Sequence, residues 1–482
     1  NRSFNQLRFR DVLEPGVEAL DLPALQQRNY LFNWQYALNY SISKSLRVNL
    51  TASNNNIIRN FFNTEGDENS GINPDLNIWD AFFDVGEPNR HGQQMQLNYE
   101  LPFAKIPFLS FINAQYTYTS NFDWQRGGDA LTEVAEAELG EGSQINTVQN
   151  ASNLSMQTLY DYLGLKKRTG KVVAGTAAAR RDKAGNTKDG KDEKPPKKTS
   201  KAFNTAIDIL TMVKRVNVNY SENRGTVLPG YTQSIGFIGT TRPTLGFVFG
   251  SQSDVRFEAA RRGFLTTFSG FNSQFLQNNS TQLSITATAQ PTQDLTIDIT
   301  ADRQSSNSLQ ETFNVSEDAS GELAFNSLLA NNFGNFSIST LMLATAFNKS
   351  DEFSSANFEQ FQENRITIAN RLAAERGITA RDAATGFPVG LGETSQDVLL
   401  PAFFGAYTGQ DAERVNLDAF RQIPIPNWNI KYTGLMKNRW FKKKFKRFSI
   451  QHGYRSAYSI NSFQTNLQRT QLIGEGLTPD NS

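Results

Sequence analysis

No cysteine occurs in the 482 residues, which excludes disulfide frameworks and thiolate metal sites. Histidine is almost absent too. His91 and His452 lie far apart, and neither has a Cys, or a second His at i+3 or i+4, with which to hold a metal. There is no run of 18 apolar residues, so no transmembrane helix is encoded. The first residues, NRSFNQLRFRDVL, lack the charged start and apolar core of a signal peptide, and no initiating Met precedes them. The chain is therefore expected to be an internal part of a longer protein. Neither charge sign dominates, with 48 Lys and Arg against 47 Asp and Glu, so whole-chain electrostatics gives no support for nucleic acid as a partner. No nucleophile elbow occurs. GLKKRTGKV (164–172) has one residue too many between its glycines for a phosphate loop, and Val172 stands where the metal-binding hydroxyl belongs. Nothing in the sequence reads as an enzyme or as a cofactor site.

Alternation is abundant. In SITATAQPTQDLTIDITADRQ (284–304), Ile285, Ala287 and Ala289 alternate with hydroxyl residues. After a turn over 290–294, Leu295, Ile297, Ile299 and Ala301 alternate with Thr296, Asp298, Thr300 and Asp302. Period two marks strands with one apolar and one polar face. The design repeats in 30–53, where Phe32, Trp34, Tyr36 and Leu38 oppose Asn33, Gln35 and Asn39. Beyond Ser43-Lys44-Ser45 follow Leu46, Val48 and Leu50. It recurs over 95–124, where a turn at 102–108 leads to Ile112, Tyr116, Tyr118 and Trp124 against Asn113, Gln115 and Thr117. A further pair is 426–435 (Trp428, Ile430, Tyr432) with 448–460. Weaker candidates are 214–220, 245–251 and 334–347.

Several of these runs reach the roughly 9–11 residues that a tilted strand needs to cross a bilayer, against about 5–6 in soluble sandwiches. Aromatics near strand ends (Trp34, Trp124, Trp428) suit interfacial girdles, and the amide and hydroxyl face suits water. A mean hydropathy of −0.48 is compatible with a wet lumen, because only the outward half of each strand must then be apolar. The expected fold is all-β: residues 1–482 form part of a very large transmembrane antiparallel β-barrel, with long loops and a few small helical inserts. Phe32, Trp34, Tyr36, Leu38, Leu46, Val48, Leu50, Ile112, Tyr116, Tyr118, Leu295, Ile297, Ile299, Trp428, Ile430 and Tyr432 are expected to face lipid. Asn33, Gln35, Asn39, Asn113, Gln115, Thr117, Thr296, Asp298 and Thr300 are expected to face the lumen.

Two inserts stand out, 125–209 and 348–426. The first contains a helical pattern at 150–164 (Leu154, Leu159, Tyr162, Leu163). It also holds a stretch at about 166–201 with 13 basic and 4 acidic residues and no aromatics, a composition that does not order itself. The second carries a helix over 355–377, with Ser355 as N-cap, Phe358, Phe361, Ile368 and Leu372 on a face, and Gly377 as the stop. Placing all short turns on one rim leaves the strand parity unresolved after residue 210. MKNRWFKKKFKRF (436–448) interleaves Lys437, Arg439, Lys442, Lys443, Lys444, Lys446 and Arg447 with Trp440, Phe441 and Phe445. Rings at headgroup depth and cations on phosphates explain it as a membrane-rim turn, and a plain solvated turn explains it equally well.

Specific strings carry a family resemblance: LPALQQRNYLFNWQYALNYSISKSLRVNLTASNN (22–55), VNVNYSENRGTVLPGY (216–231), LGFVFGSQSDVR (245–256), GNFSISTLMLATAF (334–347), VLLPAFFGAYTGQD (398–411), and PNWNIKYTGL with FSIQHGYRSAYS (426–435 and 448–459). Together they resemble the C-terminal part of the SprA/Sov family, the outer-membrane translocon of the Bacteroidetes type IX secretion system. The family's chains are several times longer. The resemblance implies a giant single-chain barrel in the outer membrane of a Gram-negative Bacteroidetes bacterium. Folded cargo with C-terminal secretion signals, gliding adhesins among it, would cross a lumen that opens sideways. A PorV-type outer-membrane shuttle protein and a periplasmic plug protein would be its partners, together with outer-membrane lipids. On the residues alone, a TonB-dependent or porin-like importer and a soluble β-rich surface adhesin stay open.

Overall fold

The computed structural model describes residues 2–7, 25–58, 85–106, 109, 112–161, 212–236 and 238–465. Thirteen strands form one antiparallel sheet: β1 (Arg2–Leu7), β2 (Leu25–Ser41), β3 (Leu46–Ile58), β4 (Glu87–Leu101), β5 (Ile112–Gln125), β6 (Asn146–Asp161), β7 (Val213–Tyr231), β8 (Gln274–Thr292), β9 (Leu295–Glu317), β10 (Leu323–Ser339), β11 (Asn427–Tyr432), β12 (Ile450–Tyr454) and β13 (Ala457–Gln464). From β1 to β10 each strand pairs with the next in sequence. Among the described residues the sheet is open, and β1 does not meet β13. No described helix is long and apolar enough to cross a membrane.

Local chemistry fixes the turns. Ser43 Oγ accepts the amide N–H of Leu46 at 3.1 Å and closes the β2–β3 turn. Thr292 pairs with Leu295, leaving only Gln293 and Asp294 between β8 and β9. Asp318 Oδ1 accepts the amides of Ser320 and Glu322 between β9 and β10, where Gly321 takes a positive φ of 82°.

The end of the sheet is built differently. β9 is 23 residues long. Its later part pairs with β10 as far as Ile338 opposite Arg303, and its first part pairs with β11 from Asn427 opposite Thr300. β10 and β11 are thus two pieces of one line along β9, running in the same direction and interrupted by residues 340–426. Where the line resumes, the Ile425 amide donates to the Ser339 carbonyl at 3.0 Å. β12 and β13 repeat the arrangement one strand further out, against β11 and β10.

Helices occupy the connections: α1 (Asp129–Leu139) between β5 and β6; α2 (Leu245–Val248) and α3 (Arg256–Arg261) between β7 and β8; α4 (Ala356–Arg376) and α5 (Gln396–Thr408) within 340–426; and α6 (Arg439–Lys444) between β11 and β12. The expected helix at 355–377 is α4, with Ser355 and Gly377 at its ends. Several expectations need correction. Residues 150–164 are not helical: 146–161 is strand β6, paired along its length with β5 and β7. This strand, absent from the sequence reading, resolves the parity problem. Residues 245–248 are helical rather than extended, because Thr244 Oγ1 accepts the Phe247 amide at 3.1 Å and buries the adjacent Phe247 and Val248 together. The strand expected over 334–347 stops at Ser339. His91 sits fully buried in β4, hydrogen-bonded to Asn54. Residues 164–172 and the basic stretch 166–201 lie outside the described residues.

Two hydrophobic cores rest on the same face of the sheet. The first lies where the β7–β8 connection, with α2 and α3, covers Phe122, Trp124, Val148, Leu228, Phe275 and Phe313. The second packs α4 and α5 against Phe336, Ile338, Tyr458 and Ile460. Trp124, expected at a membrane girdle, belongs to the first core: it is 1% exposed and its indole N–H donates to the Gln233 carbonyl at 3.0 Å. Asn150 anchors this cover. Its Nδ2 donates to the carbonyls of Phe247 and Ser251 at 3.0 and 2.9 Å, and its Oδ1 accepts from Gln252. Asn150→Ala strands these buried acceptors and should cost about 1–3 kcal/mol. Faster hydrogen exchange across 245–256 would report it.

Candidate functional site

In an antiparallel ladder, directly opposite residues point to the same side. Following the pairs from β2 to β13 sorts the sheet into two faces. All sixteen residues expected to face lipid fall on one side, and all nine expected to face the lumen fall on the other.

The second face is polar from strand to strand and is joined by side-chain hydrogen bonds. Asn55 donates to Asn33 at 2.7 Å, Thr117 to Asn98 at 3.2 Å, Ser308 to Asn278 at 2.6 Å, and Gln451 to Asn429 at 3.1 Å. Ser284 and Thr288 donate to Asp302 and Asp298 at 2.7 and 2.9 Å. Three hollows of about 690, 580 and 360 Å³ open mainly on this face. The largest reaches from Gln35 on β2 through Gln94, Asn121 and Gln149 to Asn278 on β8. These hollows lie between the polar side chains of this face.

The opposite face carries an apolar band that does not follow the hydrogen-bonded rows. Leu38, Leu50 and Met95 share a row with Ser120, Ser152, Arg224 and Asn279. Trp428, Ile299, Ala287, Val216, Tyr160 and Ile112 share another. The row through Tyr36, at the upper margin of the band on β2, arrives on β9 at Leu309, while the apolar run on β9 ends at Ala301. The band thus descends by about 1.1 residues per strand; a sheet tilted by about 40°, with strands about 4.8 Å apart and a rise of about 3.4 Å, calls for about 1.2. A stripe level with a membrane has this slant on tilted strands. Much of the band is bare, with Leu38 and Ile42 each 57% exposed. Its upper margin is marked by tyrosines: the Tyr36 hydroxyl donates to the Ile238 carbonyl at 3.3 Å and that of Tyr118 to Phe249 at 2.9 Å. These two rings share the band's face but their hydroxyls reach the covering segment.

At the rim below the band stands α6. Asn438 Oδ1 caps it by accepting the Trp440 amide at 2.8 Å. Trp440, Phe441, Phe445 and Phe448 gather with ring centroids 4.9 to 6.3 Å apart. Lys437 pairs with Asp294 in the β8–β9 turn. Arg439, Lys442, Lys443, Lys444, Lys446 and Arg447 form no ion pair with another described residue. Because β6 ends and β7 begins on this same rim, the chain leaves at Asp161 and returns at Val213 beside the short turns. The 125–209 insert is therefore not a single long-loop excursion.

Sequence reasoning missed the upper halves of the strands. There the outward face turns from apolar to mixed and is roofed by the chain's own connections, so no simple alternation remains. The adjacent apolar residues Phe247, Val248 and Phe249, with Thr244 ahead of them as a helix cap, were the available signal for the roof. No protein-family model matches the chain, and no curated protein matches it in sequence.

Proposed function

We propose that this chain is a segment of the wall of a protein-conducting outer-membrane β-barrel, of the kind that exports folded cargo with C-terminal secretion signals in type IX secretion, gliding adhesins included. The observation that carries the reading is the two-faced sheet: a polar face of amides and hydroxyls across the strands, backed by a bare apolar band whose slant fits tilted transmembrane strands. The sequence resemblance to the SprA/Sov family supplies the specific activity.

The physical logic of the conduit lies on the polar side. Asn, Gln, Ser and Thr there satisfy much of one another's hydrogen bonding across strands. Such a wall holds water and offers passing protein only weak, exchangeable contacts, because each new hydrogen bond replaces one already made. A lumen that must release a folded domain gains from this lack of affinity. On the outer side the aliphatic band and its aromatic margin are matched to a bilayer. The α6 rings and cations suit the headgroup level at the turn-bearing rim. The remaining circumference of the barrel, a PorV-type shuttle and a periplasmic plug protein would complete the machine.

Depletion of the full-length protein tests the reading. Large proteins sharing a C-terminal domain should accumulate in the periplasm and vanish from the cell surface and medium, as compared by proteomics. An unchanged secreted set with reduced uptake of a nutrient would point instead to an importer.

A further inference from the structure

The insert 340–426 leaves and re-enters the sheet on its apolar side, and its root is not covered. Thr340 begins beside the second strand piece, its amide donating to the Ser456 carbonyl at 3.3 Å. The next contact is at the top of the band: the Met342 amide donates to the Tyr454 hydroxyl at 2.7 Å, and Tyr454 stacks on Trp428 with centroids 4.6 Å apart. Both stalks of the insert expose large apolar side chains close to the sheet. Leu341 and Leu343 are exposed on the way out, and Ile423, 82% exposed, and Ile425 on the way back.

Between them the chain makes a tight excursion with Phe347 88% and Phe353 93% exposed. The excursion is held in shape. Asp351 Oδ1 accepts the amides of Phe353 and Ser354 at 2.9 and 2.8 Å, and the Asp351 amide donates to the Ser354 carbonyl at 2.9 Å. These donors hold the Asp351 carboxyl below the usual carboxylate range, first the Phe353 amide and then that of Ser354. The tip is also tied to the root: Asn357 Nδ2 donates to the Thr345 carbonyl at 3.3 Å, and the Thr345 hydroxyl donates to the Tyr407 carbonyl. Two fixed, nearly naked phenylalanines are not explained by the insert's own core, which lies at Ile368, Leu372, Val398 and Phe404.

We infer that the root of the insert, with Leu341, Leu343, Phe347, Phe353, Ile423 and Ile425, is a membrane foot that dips into the boundary between lipid headgroups and acyl chains beside the wall. This inference rests on the lipid reading of the apolar band, with which the foot is continuous through Trp428 and Tyr454. Lipid is the occupant chosen because the exposed groups continue an apolar stripe at its aromatic edge. Aromatic and aliphatic side chains held on a rigid loop partition well into that boundary. The foot would fix the height and lean of the helical insert against the membrane surface.

The test uses full-length protein in lipid nanodiscs with an environment-sensitive fluorophore on an introduced cysteine, since these 482 residues contain none. Phe353→Cys is the probe position, Glu375→Cys on the exposed far end of α4 is the water control, and Ile297→Cys is the band control. Lipids carrying a shallow nitroxide should quench the Phe353 label several-fold more than the Glu375 label, and lipids carrying a mid-acyl nitroxide should quench the Ile297 label strongly. Quenching at Ile297 with none at Phe353 overturns the foot while the wall stands. Loss of quenching at both positions removes the lipid reading as a whole. A Phe353 label shielded from nitroxide lipid and from aqueous iodide alike assigns the foot to a protein partner and also overturns the inference. Repeating the measurement at Phe347 guards against a single misfolded variant.

Discussion

Ile297→Arg is expected to destabilise the sheet by about 2–4 kcal/mol, the cost of a cation near mid-membrane on what we propose is the lipid face of a barrel. Ile297 lies between Ala289 of β8 and Ile430 of β11, with Leu295 and Ile299 beyond it on the same face. An arginine there meets no acidic residue directly opposite and must reach for headgroups at the turn-bearing rim. One residue away the outcome reverses. Thr296→Arg places the guanidinium on the polar face, where the cost is mild repulsion from Lys431 directly opposite. Thr300→Arg, between Asp298 and Asp302 on the same face of β9, should cost least. Denaturant titration of protein folded into vesicles measures all three. Equal losses at 296 and 297 would sink the assignment of faces.

The second large effect is expected at Arg256 in α3. Its guanidinium lies in the first core, ion-paired with Glu311 of β9 and with Asp254 at 2.7 Å, and its plane rests 4.5 Å from the Phe275 ring centre. The Glu311 side chain is only 6% exposed. Arg256→Ala leaves that carboxylate buried without a counter-charge, a change that typically costs about 3–5 kcal/mol. The loss should be local: the 232–273 cover should exchange amide hydrogens faster and become open to protease while the lower strands hold. Replacing both partners, as in Arg256→Met with Glu311→Leu, should recover most of the loss because no charge is then stranded. Failure of the double variant to recover would mean that the ring contacts, not the charge pair, dominate. Acid adds an independent check. Burial by itself raises the Asp254 carboxyl, but the side-chain hydrogen bond, the backbone hydrogen bond and the charge of Arg256 outweigh it and leave the group below its ordinary range. A depressed carboxylate contributes above its unfolded pKa of about 4 and loses that contribution as pH falls through the folded value. The cover should therefore be tightest above that range and loosen in acid.

The lower sheet was legible because its outward face makes a simple demand. In 32–42, 285–289 and 295–301 every second residue is apolar, so the alternation is clean and the faces follow from it. β6 was misread for a specific reason. Its outward residues Leu154, Met156 and Tyr160 are interrupted by Thr158, while Leu159 lies on the polar side, and the resulting spacing imitates a helix. At Trp124 the residue type was informative but its partner was not: an aromatic at a strand end serves a girdle or a core, and the roof that decides is over a hundred residues away in sequence. For α4 the ends were readable from Ser355 and Gly377, but the buried face was only half right. Ile368 and Leu372 are buried, whereas Phe358 is exposed. The fold of the insert on the sheet decides that, and local periodicity does not contain it.

The interrupted line of β10 and β11 bears on the order in which this wall can form. A hairpin strand finds its partner through a turn of a few residues, but β11 must find β9 across the insert. Closing a loop of roughly 90 flexible residues instead of about four costs nearly 3 kcal/mol more in chain entropy, which is a heavy charge on a strand of six residues. The cost vanishes if residues 340–426 fold first, because the finished insert holds Ser339 and Ile425 within hydrogen-bonding distance. The helical unit then acts as a clamp that hands β11 to β9 in register. The last part of the sheet would zip only after a non-β element has matured, giving the wall a late, slow step whose rate tracks the stability of α4 and α5.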